Sequence, residues 1–151
     1  MSTLRLYADT SVFGGCFDTE FSVHSLKLFD EIRQGRFLLI LSETLLVELQ
    51  EAPDQVQQVL ANLHEDHHEL IEKTGKIIAL RDAYVSTGVV GTSSLLDAEH
   101  IASATVAKAD LIVSWNFKHI VHYEKIRGYN AVNQMNQYPG LDIRTPREVV
   151  E

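Results

Sequence analysis

An α/β fold with a mostly parallel sheet is what the pattern of this chain predicts, on three observations. Short apolar runs at 4–9 (LRLYAD), 37–41 (FLLIL) and 111–115 (LIVSW) alternate with segments of helical period. FLLIL is apolar throughout, as expected of a strand covered on both faces. No repeat, low-complexity tract or linker interrupts the 151 residues, so 1–151 reads as a single domain.

In LRLYAD, Leu4, Leu6 and Ala8 alternate with Arg5, Tyr7 and Asp9, which is the period of a strand. VFGG then breaks the pattern. Residues 19–34 place Phe21, Leu26, Leu28, Phe29 and Ile32 at roughly helical spacing, and Gly35 ends the segment. Ser42 reads as the N-cap of a helix from Glu43 to about Glu51, stopped near Pro53. Residues 54–73 read as polar helix and 76–87 as another helix, broken by Gly88 and Gly91. From Ser94 to Asp97 a helix opens that is rich in small residues, Ala98, Ala102, Ala104 and Ala107. After the strand 111–115, residues 122–137 read as partly helical, and LDIRTPREVV as a short strand with a Pro-led turn.

Composition bounds the function classes. Hydrophobic residues at 45% and charged residues at 23% are ordinary for a globular domain, which sets disorder aside. The single cysteine, Cys16, excludes an internal disulfide and fits a reducing compartment; it reads as a small buried side chain. No apolar stretch approaches the roughly 18 residues of a membrane span, and the N-terminal MSTLRLYADTS lacks the apolar run of a signal peptide. The expectation is a cytoplasmic protein. A net charge of −8 disfavours general binding to polyanions, although a carboxylate-rich metal site lowers the formal charge in the same way.

In open parallel sheets, sites lie outside the carboxyl ends of the strands. There the sequence puts Asp9, then Thr10 and Ser11; Ser42, leading into a helix with Glu48; Asp97 in a helical first turn; and Ser114, Trp115 and Asn116. A cluster of carboxylates without matching bases repels itself unless it is protonated or bridged by a cation. Hard oxygen donors without cysteine favour Mg²⁺ or Mn²⁺, ions that serve phosphoryl chemistry. Each residue also has a plainer explanation: an Asx turn for Asp9, a boundary-face glutamate for Glu48, a capping box with Ser94 for Asp97, and a turn for Asn116. His100, one helical turn after Asp97, reads either as a contact to the site or as a packed, hydrogen-bonded side chain. His64, His67 and His68 would share one face of a helix and could in principle take zinc, but a solvated face explains them better.

YADTSVFGG, LSETLLVEL, LLDAEHIASATVAKADLIVSWNFKHI and IRTPREVV together resemble the PIN-domain nucleases, in particular the VapC-like toxins of type II toxin–antitoxin systems. The resemblance covers nearly the whole chain. It implies a three-layer α/β/α PIN-like fold and an endoribonuclease that hydrolyses phosphodiesters with Mg²⁺ or Mn²⁺. The implied metal-binding and catalytic set is Asp9, Glu48, Asp97 and position 116. It also implies an RNA substrate, a cognate antitoxin that blocks the site, and a homodimer.

The departure is Asn116, where the family often has Asp. An amide oxygen can still meet a cation but adds no charge, which weakens the case for a second ion. Thr10, Ser11 and Ser114 would orient ligands or water, and Lys118 and His119 would contact the RNA backbone. Two alternatives remain: a PIN-like binding module without metals, and a phosphatase of the haloacid-dehalogenase type. The phosphatase needs a second acid two residues after the first, and that position is Ser11.

Overall fold

A computed structural model describes residues 3–151; Met1 and Ser2 of the N-terminal stretch lie outside the described residues. Among these residues, five parallel strands form one sheet: β1 (Leu4–Ala8), β2 (Phe37–Ser42), β3 (His68–Ile71), β4 (Leu111–Val113) and β5 (Asp142–Arg144). Their order is β3-β2-β1-β4-β5. The chain thus builds outward from β1 on one side, then returns to lay β4 on the other. The strand order reverses between β1 and β4, where Leu6, Tyr7 and Ala8 pair with Leu111, Ile112 and Val113.

The alternation in β1 separates two buried layers rather than core from solvent. Leu6 and Ala8 join Leu39, Leu41, Leu111 and Val113 in one apolar cluster. Tyr7, with Ile40 and Ile112, joins the other and is wholly buried. Helices α1 (Thr10–Gly15), α2 (Ser22–Arg33), α3 (Glu43–Gln50) and α4 (Asp54–Ala61) supply the first cluster. The second is built from α5 (Gly75–Ser86), α6 (Leu95–Val106) and α7 (Tyr123–Met135). The result is the expected three-layer α/β/α arrangement. Among the described residues, no helix is long and apolar enough to cross a membrane. A last short helix, α8 (Pro146–Val149), is capped by Thr145, whose backbone N–H donates to Glu148 Oε1 at 3.0 Å.

Three expectations are corrected. VFGG does not interrupt the structure: it lies in α1, which starts directly after Asp9. Gly15 lets this helix lie against the fourth strand's exit. A Cβ there would stand 2.6 Å from Ser25 Oγ and 2.8 Å from Trp115 Nε1, in the place where Trp115 Nε1 donates to Ser25 Oγ at 2.9 Å. Gly15→Ala is therefore expected to lower stability by about 1–3 kcal/mol, the usual cost of overpacking. Urea unfolding checks this, and an unchanged midpoint would contradict the packing described.

The second correction is at 54–73, which is not one helix. It divides into α4, a 3₁₀ turn at Glu65–His67 and β3. The edge strand HELI is only partly buried, so its apolar signal is weak. His64, His67 and His68 consequently share no helical face. Instead His64 Nδ1 accepts from Asp66 N and His67 Nδ1 from His64 N, closing the turn. Third, Ser94 makes no side-chain cap for α6, so the capping-box explanation of Asp97 fails. Ser42 does cap α3, accepting from Leu45 N at 3.1 Å. Gly35, with φ +84°, ends α2 as expected.

Candidate active site

The strand exits carry the polar groups. Asp9 follows β1 and is 5% exposed. Ser11 Oγ donates to its Oδ1 at 2.6 Å, and Ser114 Oγ, beyond β4, donates to its Oδ2 at 2.7 Å. The two hydroxyls are fixed in turn, because Trp115 N donates to Ser11 Oγ and Asn116 N to Ser114 Oγ, each at 2.9 Å. Asp9 is thus held across the β1/β4 switch point by hydroxyls from both sides of it. Burial pushes its carboxyl above the ordinary value, with nearby Glu48 adding to the rise.

Glu48, on α3, accepts on a single oxygen, Oε1, from Thr10 Oγ1 at 2.8 Å and from His100 Nε2. Burial alone would raise its pKa, but His100 and Thr10 outweigh it and hold Glu48 below the ordinary range. Burial likewise opposes protonation of His100, which is 2% exposed. Its bond to Glu48 and the charges of Asp9, Glu48 and Asp97 outweigh that and raise its pKa. The second ring nitrogen, Nδ1, lies 2.6 Å from the Tyr7 hydroxyl.

Asp97 is raised first by burial. Its Oδ1 accepts from Asn116 Nδ2 at 3.2 Å. The direction of that amide follows from the turn behind it. Asn116 Oδ1 accepts from the backbone N–H groups of Lys118 at 3.1 Å and His119 at 2.9 Å. Those donors need the oxygen, so the NH₂ group faces Asp97. Lys118 is exposed, and the charge of His119 favours the ionised form of Asp97.

The structure therefore brings Asp9, Glu48, Asp97 and Asn116 to one rim, joined through Thr10, Ser11, His100 and Ser114. Among the described residues, no three or more His, Cys, Asp or Glu side chains are grouped so that they could hold a metal ion together; the rim carboxylates are turned onto protein donors. The chemistry of the set suits a hard cation, since it is rich in carboxylate oxygens and two of the acids are raised by burial. A cavity of about 270 Å³ opens beside Glu48 between α3 and α6, with Val47, Lys73 and Leu96 in its walls.

Two groups escaped sequence reasoning. Tyr7 shares a strand face with Asp9 by the period of two, the only signal that pointed to it. Glu99 is buried next to the site and is already neutralised. It accepts from Thr44 Oγ1 and, at 2.7 Å, from Arg81 Nη1, with Lys73 Nζ at 3.1 Å. Burial would raise it, but those partners hold it below the ordinary range, and its two cationic neighbours set it apart from the three acids of the rim.

The chain is structurally similar to one in the crystal structure of VapBC2 from Rickettsia felis bound to a DNA fragment from their promoter. The TM-score is 0.54 at 14% identity, over 94% of this chain and 98% of that one. The fold is PIN-like. No protein-family model and no curated protein matches the sequence, and at this identity the likeness is one of fold. In the PIN-like frame, Asp9 and Asn116 sit at the exits of the two strands that flank the switch point, where α/β sheets bind ligands.

The shifts in this rim give the protein in chelator a pH dependence. His100 lies above its ordinary 6.5, so its contribution is full below that value and is lost as pH rises through the folded one. Asp9 and Asp97 lie above 3.8 and likewise lose their contribution as pH rises. Glu48 lies below 4.5, so its contribution is lost only as pH falls through its folded value. Stability is expected to decline as pH rises above 6.5, where the loss from His100 adds to those from Asp9 and Asp97. Melting curves across pH in EDTA check this; a melting temperature that climbs steadily above 6.5 would contradict it.

Proposed function

We propose that this chain is a metal-dependent endoribonuclease, the toxin component of a toxin–antitoxin pair. The observation that carries the reading is the convergence of Asp9, Glu48 and Asp97 at the β1/β4 switch point. The PIN-like fold and its likeness to a chain of a VapBC2 complex support it at the level of fold. Asp9, Glu48 and Asp97 would hold Mg²⁺ or Mn²⁺, with Asn116 as the fourth corner. Bound there, the ion supplies charge that lowers the pKa of an attacking water and stabilises the leaving oxygen.

The chain's own residues prepare the acids. Ser11 and Ser114 fix both oxygens of Asp9, Thr10 and His100 fix one oxygen of Glu48, and Asn116 fixes one oxygen of Asp97. Lys118, which is exposed, would contact an RNA phosphate. Hydrolysis in this scheme leaves a 5′-phosphate and a 3′-hydroxyl. The exposed apolar residues Val23 and Leu26 on α2, and Phe17 beside it, offer a surface to an antitoxin or a second copy.

Purified protein incubated with single-stranded RNA should cleave it in Mn²⁺, stop in EDTA and resume when Mn²⁺ is restored. Folded protein that leaves RNA intact in Mn²⁺ would overturn the reading. A second reading, a PIN-like binding module without metal, is favoured by the Asn116 NH₂ group that faces Asp97 and by the bond from His100 to Glu48. RNA bound without cleavage, unaffected by EDTA, would establish it. A small antitoxin-like reading frame next to the coding sequence would separate a toxin from a general nuclease.

A further inference from the structure

Glu48 differs from the other two acids of the site. Asp9 stands directly at a strand exit and is locked by two hydroxyls, and Asp97 sits in a helical first turn. Glu48 is a longer, more flexible side chain in the second half of α3, so its orientation carries the larger entropy cost.

We infer that Ser42, Tyr7 and His100 form a closed hydrogen-bonded brace whose role is to position Glu48. The brace begins and ends on α3. Ser42 Oγ caps the helix by accepting from Leu45 N at 3.1 Å. The Tyr7 hydroxyl lies 2.7 Å from Ser42 Oγ and 2.6 Å from His100 Nδ1. His100 Nε2 then closes the ring on Glu48 Oε1. Three elements are thereby tied to one carboxylate oxygen: β1 through Tyr7, the start of α3 through Ser42, and α6 through His100.

The chemistry of the ring assigns the parts. An ionised carboxylate only accepts, so Nε2 carries the proton and His100 is a donor to Glu48. Its other nitrogen is occupied by Tyr7, which leaves His100 neither a free base nor a free ligand. Tyr7, Ser42 and His100 are all buried, at 0%, 3% and 2% exposure. Apolar side chains would fill such a space without the need for mutual satisfaction. A fully paired polar ring instead fixes one geometry, and here that geometry ends on a proposed metal-binding oxygen set. Groups in this relation to a ligand typically change metal affinity by about 10–100-fold when removed.

The inference rests on the proposed metal site, and the test separates the two. Mn²⁺ binding is followed from the EPR signal of free Mn²⁺ for the wild type, Tyr7→Phe, His100→Gln and His100→Leu, with the melting temperature of each recorded. Wild type is expected to bind. Tyr7→Phe, which removes one hydroxyl, should bind about tenfold more weakly while still folded. His100→Leu should lose the most, and His100→Gln, which keeps a donor for Glu48, should lose less. If wild type binds and all variants that fold bind equally well, the brace is wrong and the metal site stands. Variants that melt lower yet keep wild-type affinity overturn the brace in the same way, since a merely structural ring would behave so. Wild type that takes up no Mn²⁺ overturns the metal site and the brace with it.

Discussion

Asp9→Asn is expected to reduce Mn²⁺-dependent RNA cleavage by about 10³-fold, the several kcal/mol that an ion contributes at a reacting phosphate, while the melting temperature holds or rises. The two halves of this result have one cause. Asp9 is buried and burial raises its carboxyl, so ionising it costs the folded chain stability. Asparagine keeps the shape, removes the charge and can still accept from Ser11 or Ser114. A site that is unfavourable for the fold but kept charged for the ion should gain stability as it loses function. Cleavage assays beside melting curves check both halves. A variant that cuts at the wild-type rate would remove Asp9 from the site, and one that unfolds would assign it to structure.

Asn116→Asp should produce the opposite exchange. The carboxylate can still accept from Lys118 N and His119 N through one oxygen. Its other oxygen takes the place of the NH₂ group that donates to Asp97 Oδ1 at 3.2 Å. In chelator the variant loses that bond and sets two like charges together, at a cost of about 1–3 kcal/mol. Mn²⁺ should reverse this: affinity should rise by about tenfold or more, ~1.4 kcal/mol, and the ion should raise the melting temperature more than in wild type. Calorimetric titration with paired melts measures it. No change in affinity or stability would return position 116 to a turn after a buried strand.

The layered fold was legible because FLLIL and LIV in the middle of the sheet are apolar on both faces and the segments between the strands carry apolar residues at helical spacing. Ser42 was recognisable as a cap from Glu43 and the leucines that follow. β3 was not, because an edge strand with two polar residues in HELI has little periodicity to show. α1 was hidden by its glycine pair; the reason for Gly15 lies in Ser25 on α2 and in Trp115, far along the chain. At the site, Asp9 was readable from a strand end, Asp97 from a helix start and Glu48 from the helix that follows β2. Their bracing was not: Tyr7 and His100 are 93 residues apart, and only the fold makes them neighbours. The direction of the Asn116 amide depended on which backbone donors reach it. Asp97 looked like half of a capping box until the Ser94 side chain proved not to cap.

In the proposed function, Asp9, Glu48 and Asp97 act together as one cation site. Mn²⁺ titration of the wild type, Asp9→Asn, Glu48→Gln, Asp97→Asn and, as a control, the exposed helical acid in Asp30→Asn tests it most directly. Uptake is expected in wild type and Asp30→Asn, and its loss in each of the three rim variants. Uptake that is equal in all five proteins, or absent from the wild type, would contradict it.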